Sequence, residues 1–153
     1  MRIAIYALIP FLTAAIGYLF SLQYGQAREF WAKFKFWHKK IKAEISFSQS
    51  SLSEIFESGE ISDPFCLSAK EYLAAKKINT ELRFLSKEEI SFLYKYLQNL
   101  GTTDKDSQLN FLNSLEPELE NYSENAAEKD KKFRPLYVKL GFLLGLIVFI
   151  LVI

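Results

Sequence analysis

The chain has 153 residues, 50% of them apolar, and its 19 Lys and Arg nearly balance 18 Asp and Glu, for a formal net charge of +1. That balance supplies no basic surplus for nucleic acid, and the length leaves room for one small soluble core rather than two. The single cysteine, Cys66, excludes an intramolecular disulfide, argues against structural zinc and fits a reducing compartment.

Charge is unevenly placed. Residues 3–22 carry none, residues 140–153 are wholly apolar, and nearly every Lys, Arg, Asp and Glu lies between. A helix rises about 1.5 Å per residue, so a hydrocarbon layer of about 30 Å needs about 20 apolar residues. Residues 3–22 meet that length; the second segment meets it by starting at Leu136, with Lys139 snorkelling to the headgroups. The pattern predicts an all-α protein: transmembrane helices over 3–22 and 136–153 flank a helical-bundle domain over 28–134. Arg28, Lys33, Lys35, Lys39, Lys40 and Lys42 follow the first span and Lys129, Lys131, Lys132, Arg134 and Lys139 lead into the second, against Arg2 alone on the outer flanks. By the positive-inside rule the central domain is expected to be cytosolic. A cleaved signal peptide is the rival reading, since Gly25-Gln26-Ala27 offers small residues, but such a peptide has an apolar core of about 7–15 residues.

Within the domain the apolar period is helical throughout. Phe30, Phe34, Trp37, Ile41 and Ile45 form one stripe on a helix continuing from the first span. Ser51 with Glu54 has capping-box spacing for a short helix stopped by Gly59. Asp63-Pro64 opens a helix with Phe65, Leu67, Tyr72, Leu73 and Ile78 as its apolar residues and Asn79 near its end. Ser86 with Glu89 caps the next, whose inner face is expected at Ile90, Leu93, Tyr94, Leu97 and Leu100, with Gly101 as its stop. Thr103 or Asp104 starts the last, along Leu109, Leu112, Leu115, Leu119, Tyr122 and Ala126. Pro117 and Pro135 predict bends in it.

No phosphate loop, glycine-rich fingerprint or metal-spaced cluster is present, so neither catalysis nor a cofactor or small-molecule substrate is expected. His38, among Lys39, Lys40 and Lys42, is expected on the solvated surface, and Cys66 as a small buried hydrophobe. Two stretches are more specific. Phe30, Trp31, Phe34, Phe36 and Trp37 interleave with Lys33, Lys35, Lys39 and Lys40, which suits either a collar on an anionic membrane surface or a partner, or a core stripe in which half the rings are buried. Gly141-Phe142-Leu143-Leu144-Gly145 is a small-xxx-small pattern that lets another helix come close, from the first span or from a second copy in a homo-oligomer.

The stretch from Leu97 through Gly101, Asp104 and Gln108 to Leu112, Leu115 and Leu119, and then Leu140-Gly141 through Gly145 to the end, resembles stage III sporulation protein AB, as do Ala43-Glu44-Ile45 and Ser51-Leu52. The order of parts matches: a span, a basic helix, a Leu-Gly-x-x-Asp turn with its downstream Gln, and a Leu-Gly-x-x-x-Gly span. A Pro-Arg pair expected after the first span is here Gln26-Ala27-Arg28, and the family's last helix lacks Pro117. The resemblance implies a docking component, without chemistry of its own, in the mother-cell membrane around the forespore, within a channel or secretion-like complex that includes a secretion-type ATPase. Its implied partners are membrane lipids and the other proteins of that complex. Contact is expected at the surface from Arg28 through Trp31, Lys33, Lys35, Trp37, Lys39 and Lys40, and at the turn of Gly101, Asp104 and Gln108. The alternative is a membrane scaffold or sensor of an unrelated signalling system.

Overall fold

The computed structural model describes residues 8–47, 52–57 and 63–152. Ser51 and Gly59, expected to start and stop the short helix, and the first residues of the leading span lie outside this set. The described residues are all-helical: α1 (Ile9–Phe47), α2 (Leu52–Glu57), α3 (Pro64–Ala75), α4 (Lys87–Asn99) and α5 (Lys105–Val152). They fall into two compact units. One joins Met1–Arg28 to Asn125–Ile153 and the other is Glu29–Glu124, so residues 125–134 group with the first unit rather than with the domain expected over 28–134.

In the second unit α3, α4 and α5 begin where a side chain satisfies leading amides. Asp63 Oδ1 accepts the N–H groups of Phe65 and Cys66 at 3.0 and 3.2 Å, and Pro64 follows in the first helical position, where no donor is needed. Ser86 and Glu89 form a complete capping box at the start of α4. The end of α3 differs from expectation. Lys76 adopts the left-handed conformation (φ 55°) and closes the helix at Ala75, short of Asn79. Glu71 Oε2 then accepts the N–H groups of Asn79 and Thr80 at 2.7 and 2.8 Å, which turns the chain back toward α4 and holds the Glu71 carboxyl below the usual carboxylate range.

The core of this unit is aromatic. Phe34 stacks on Phe65 with ring centroids 4.2 Å apart and meets the edge of Tyr96 at 4.7 Å, while Trp31 stacks on Tyr122 at 4.7 Å. Phe30, Trp37, Ile41, Phe56, Leu93, Leu97, Leu112, Leu115 and Leu119 also belong to it. The inner face of α4 is rotated from the expected one: Phe92 and Tyr96 join Leu93 and Leu97 inside, whereas Tyr94 is 37% exposed and Ile90 only half-buried. Both faces satisfy a helical period, and the larger aromatic surfaces occupy the interior.

His38 corrects a second expectation. It is 1% exposed, with Nδ1 3.2 Å from the hydroxyl of the fully buried Tyr96. Its neighbours in sequence are lysines, but its spacing of four from Phe34 and three to Ile41 puts it on the inner face. Cys66 is fully buried as expected, its Sγ donating to the Phe56 carbonyl at 3.4 Å; burial pushes the thiol pKa up and away from nucleophilic use.

The first unit contains the opening part of α1 and the closing part of α5. α5 continues unbroken through Pro117 and Pro135, each of which removes one main-chain donor without ending the helix. Among the described residues α5 alone contains a stretch long and apolar enough to cross a membrane, and only 6% of that stretch is buried, unlike the core helix of a soluble protein.

Candidate functional site

The aromatic and basic residues of α1 separate cleanly by depth. Trp31 and Trp37, expected at a lipid or partner surface, are 0% and 3% exposed and belong to the core. Each buried indole N–H has a carboxylate partner: Trp31 Nε1 donates to Glu89 Oε1 at 3.0 Å and Trp37 Nε1 to Asp63 Oδ2 at 2.9 Å. Those two carboxylates are also helix caps, so one side chain fixes both the start of a helix and the seat of an indole. Phe36 remains outside at 59% exposure.

The basic residues stay at the surface of their unit. Lys35 pairs with Glu120, Lys42 Nζ lies 2.6 Å from Glu116 Oε2, and Lys40 Nζ sits 4.7 Å from the centre of the Trp37 ring. The Lys42 bond holds the Glu116 carboxyl below its ordinary range. Lys39 is exposed and Lys33 half-exposed. Between Arg28 and Lys42, α1 therefore leaves a row of cations and the Phe36 ring at its surface.

In the same unit, Gly101, Asp104 and Gln108 form one turn. Gly101 has φ +74°, open to glycine without strain, and a methyl group there would stand 2.5 Å from Leu52 Cδ1. Its N–H donates to Gln108 Oε1 at 2.8 Å, and Gln108 is 3% exposed. Asp104 Oδ2 accepts the Ser107 N–H at 3.1 Å and so opens α5. Lys105 Nζ then reaches the Ser46 carbonyl at 2.7 Å. Gln108 is structural rather than exposed; Asp104 remains at the surface.

In the first unit, Gly141 and Gly145 lie against Thr13 and Pro10 of α1 in the same chain. A Cβ at Gly141 would stand 2.5 Å from the Thr13 carbonyl oxygen, and one at Gly145 would overlap the Thr13 hydroxyl. Gly17 completes the seam, since a Cβ there would overlap the Tyr137 carbonyl. Its spacing of four from Thr13 is the signal, in the leading segment, that matches the glycine pair. Beside the seam, Thr13, Gly17, Phe20, Tyr137, Leu140 and Leu144 contribute to an apolar groove of about 340 Å³.

Arg28 belongs to this unit. Its Nη1 is 2.8 Å from Oδ2 of Asp130, whose other oxygen is 3.9 Å from Arg134 Nη1. Asp130 is absent from the sequence-based candidates, although its spacing of four before Arg134 marks an ion pair on one helix face. Among the described residues no group of three or more His, Cys, Asp or Glu is arranged to hold a metal ion.

Comparison with curated proteins and with solved structures finds no match. Residues 67–153, more than half of the chain, match the family model of stage III sporulation protein AB. The matched range takes in α3 from Leu67 on, α4, the Gly101–Asp104–Gln108 turn and all of α5 with its two seam glycines. The chain is thus a member of the stage III sporulation protein AB family, with a role in sporulation.

Proposed function

We propose that this protein is a twice-anchored docking component of the complex built between mother cell and forespore. Residues 3–22 and 136–153 cross the mother-cell membrane, and the helical unit lies in the mother-cell cytosol. There it engages other proteins of the complex, a secretion-type ATPase among them, and performs no chemistry itself. The observation that carries this reading is the family match running without a break from the helical unit into the exposed apolar end of α5. Outward-facing Leu12, Leu19 and Phe20 on α1, each 64% exposed, support a second span, because such rings and branched chains suit lipid better than water. The Lys and Arg flanking both segments support the cytosolic side.

Topology and partnership are tested together in sporulating cells. Cys66 is buried, so a cysteine introduced at exposed Lys95 is the reporting thiol. It is expected to resist a membrane-impermeant maleimide until the membrane is opened, and the tagged chain is expected to copurify with the ATPase. Labelling in intact cells would overturn the topology; absence of the ATPase from the purified complex would overturn the docking role.

A further inference from the structure

We propose that the Arg28–Asp130–Arg134 cluster and the neighbouring apolar groove form a binding site for one anionic phospholipid. The inference rests on the reading that both apolar segments lie in a bilayer.

Charge provides the first argument. Two guanidinium groups converge on one carboxylate: Arg28 bonds Oδ2 at 2.8 Å, while Arg134 stands 3.9 Å from Oδ1, beyond hydrogen-bond length. Asp130 Oδ1 is buried and has no hydrogen-bond partner among the described residues. The carboxylate is only 5% exposed, yet the Arg28 and Arg134 side chains are 54% and 38% exposed. The cluster therefore presents a net single positive charge and outward-facing N–H groups, which a phosphodiester with one negative charge complements. The Arg134 guanidinium also lies 5.9 Å from the Tyr18 ring centre, a cation–π distance that leaves the side chain 38% exposed. Next to it, Gly25 presents no side chain: a methyl there would stand 3.6 Å from Arg134 Nη1.

Position provides the second. Tyr137 lines the groove and lies three residues, one helical turn, beyond Arg134. Its hydroxyl is 3.4 Å from that of Tyr24, which sits one turn before Arg28 on α1. Along each helix the tyrosine thus falls between the arginine position and the deeper groove residues, Phe20 on α1 and Leu140 on α5, where a glycerol backbone with its ester carbonyls would lie. Past them Phe20, Leu140 and Leu144 offer an apolar channel to an acyl chain. Cation, hydroxyl pair and apolar groove follow one another along the helices in the order phosphate, ester and hydrocarbon.

The test uses the purified full chain in detergent, titrated with phosphatidylglycerol or phosphatidylcholine and read by native mass spectrometry. One bound phosphatidylglycerol is expected, preferred over phosphatidylcholine and not displaced by inorganic phosphate. R28Q/R134Q should weaken it about tenfold, whereas K131Q/K132Q, which removes equal charge from exposed positions of α5, should change it less than about twofold. D130N keeps both cations and removes their counter-charge, so it should tighten binding about fivefold. Equal losses in the two glutamine pairs, no preference between lipids, or weakening by D130N would overturn the site, the last by showing an ion pair with a structural role only. Flotation of the same samples with vesicles of both lipids separates the two readings. A chain that fails to float refutes the membrane reading and the site with it; one that floats without selectivity refutes the site alone.

Discussion

His38 shows how far a single side chain can depart from its neighbours in sequence. Burial, and then the charge of Lys42, push its pKa from 6.5 down to about 4, with Glu116 opposing and Lys39 adding to the shift. The folded imidazole stays neutral where the unfolded one takes up a proton. Between pH 6.5 and 4 the unfolded chain therefore binds more protons, and stability falls as pH falls. The loss should reach about 2 kcal/mol by pH 5. Denaturant titrations of the full chain in detergent at pH 7.5 and pH 5 should show this for the parent and a much shallower change for His38→Gln. Equal pH sensitivity in both proteins would mean that the ring titrates normally.

Helices depend on residues that serve two of them at once. Glu89 accepts the Ser86 N–H at 2.6 Å through Oε2 and the Trp31 indole through Oε1, so one carboxylate closes the start of α4 and seats a ring of α1. Glu89→Ala removes half of the capping box and strands a buried indole donor, which should cost about 2–3 kcal/mol in a denaturation experiment. Trp31→Phe together with Glu89→Ala should cost less than the sum of the two single changes, because the stranded donor is gone. The two-helix seam depends instead on missing atoms. Gly141→Leu forces side-chain atoms into the Thr13 backbone and should lower stability by about 1–3 kcal/mol, while Leu143→Ala, at a position 54% exposed, should stay within about 0.5 kcal/mol of the parent in detergent melts. Equal effects would place the seam elsewhere. The starts of these helices were legible in the sequence, because a cap is a local bargain between a side chain and the next few amides: Asp63-Pro64, Ser86 with Glu89, Gly101 and Asp104 all announce themselves within four residues. The buried faces were less so. Phe92, Tyr96, Trp31 and His38 turn inward because helices distant in sequence enclose α1 and α4 over a wide arc, and no short spacing reports how wide that arc is. Asp130 escaped notice for the same reason, since its partner Arg28 comes from the far end of the chain.

At the scale of the whole molecule, the two units bury their residues in different ways. The unit Glu29–Glu124 holds the aromatic core, and its capping carboxylates, indole partners and lysine pairs are all internal to it. Unit Met1–Arg28 with Asn125–Ile153 has instead a glycine seam, one ion-pair cluster and a largely exposed apolar surface. A region whose core is complete within itself should fold when separated, and one whose apolar surface faces outward should not stay in water. Residues 29–124 expressed alone are therefore expected to be soluble and helical, with a cooperative thermal transition and the near-ultraviolet signature of immobilised Trp31 and Trp37. Helical content without that signature or that transition would describe a molten state, and would mean that the aromatic core needs the two-helix unit to order it.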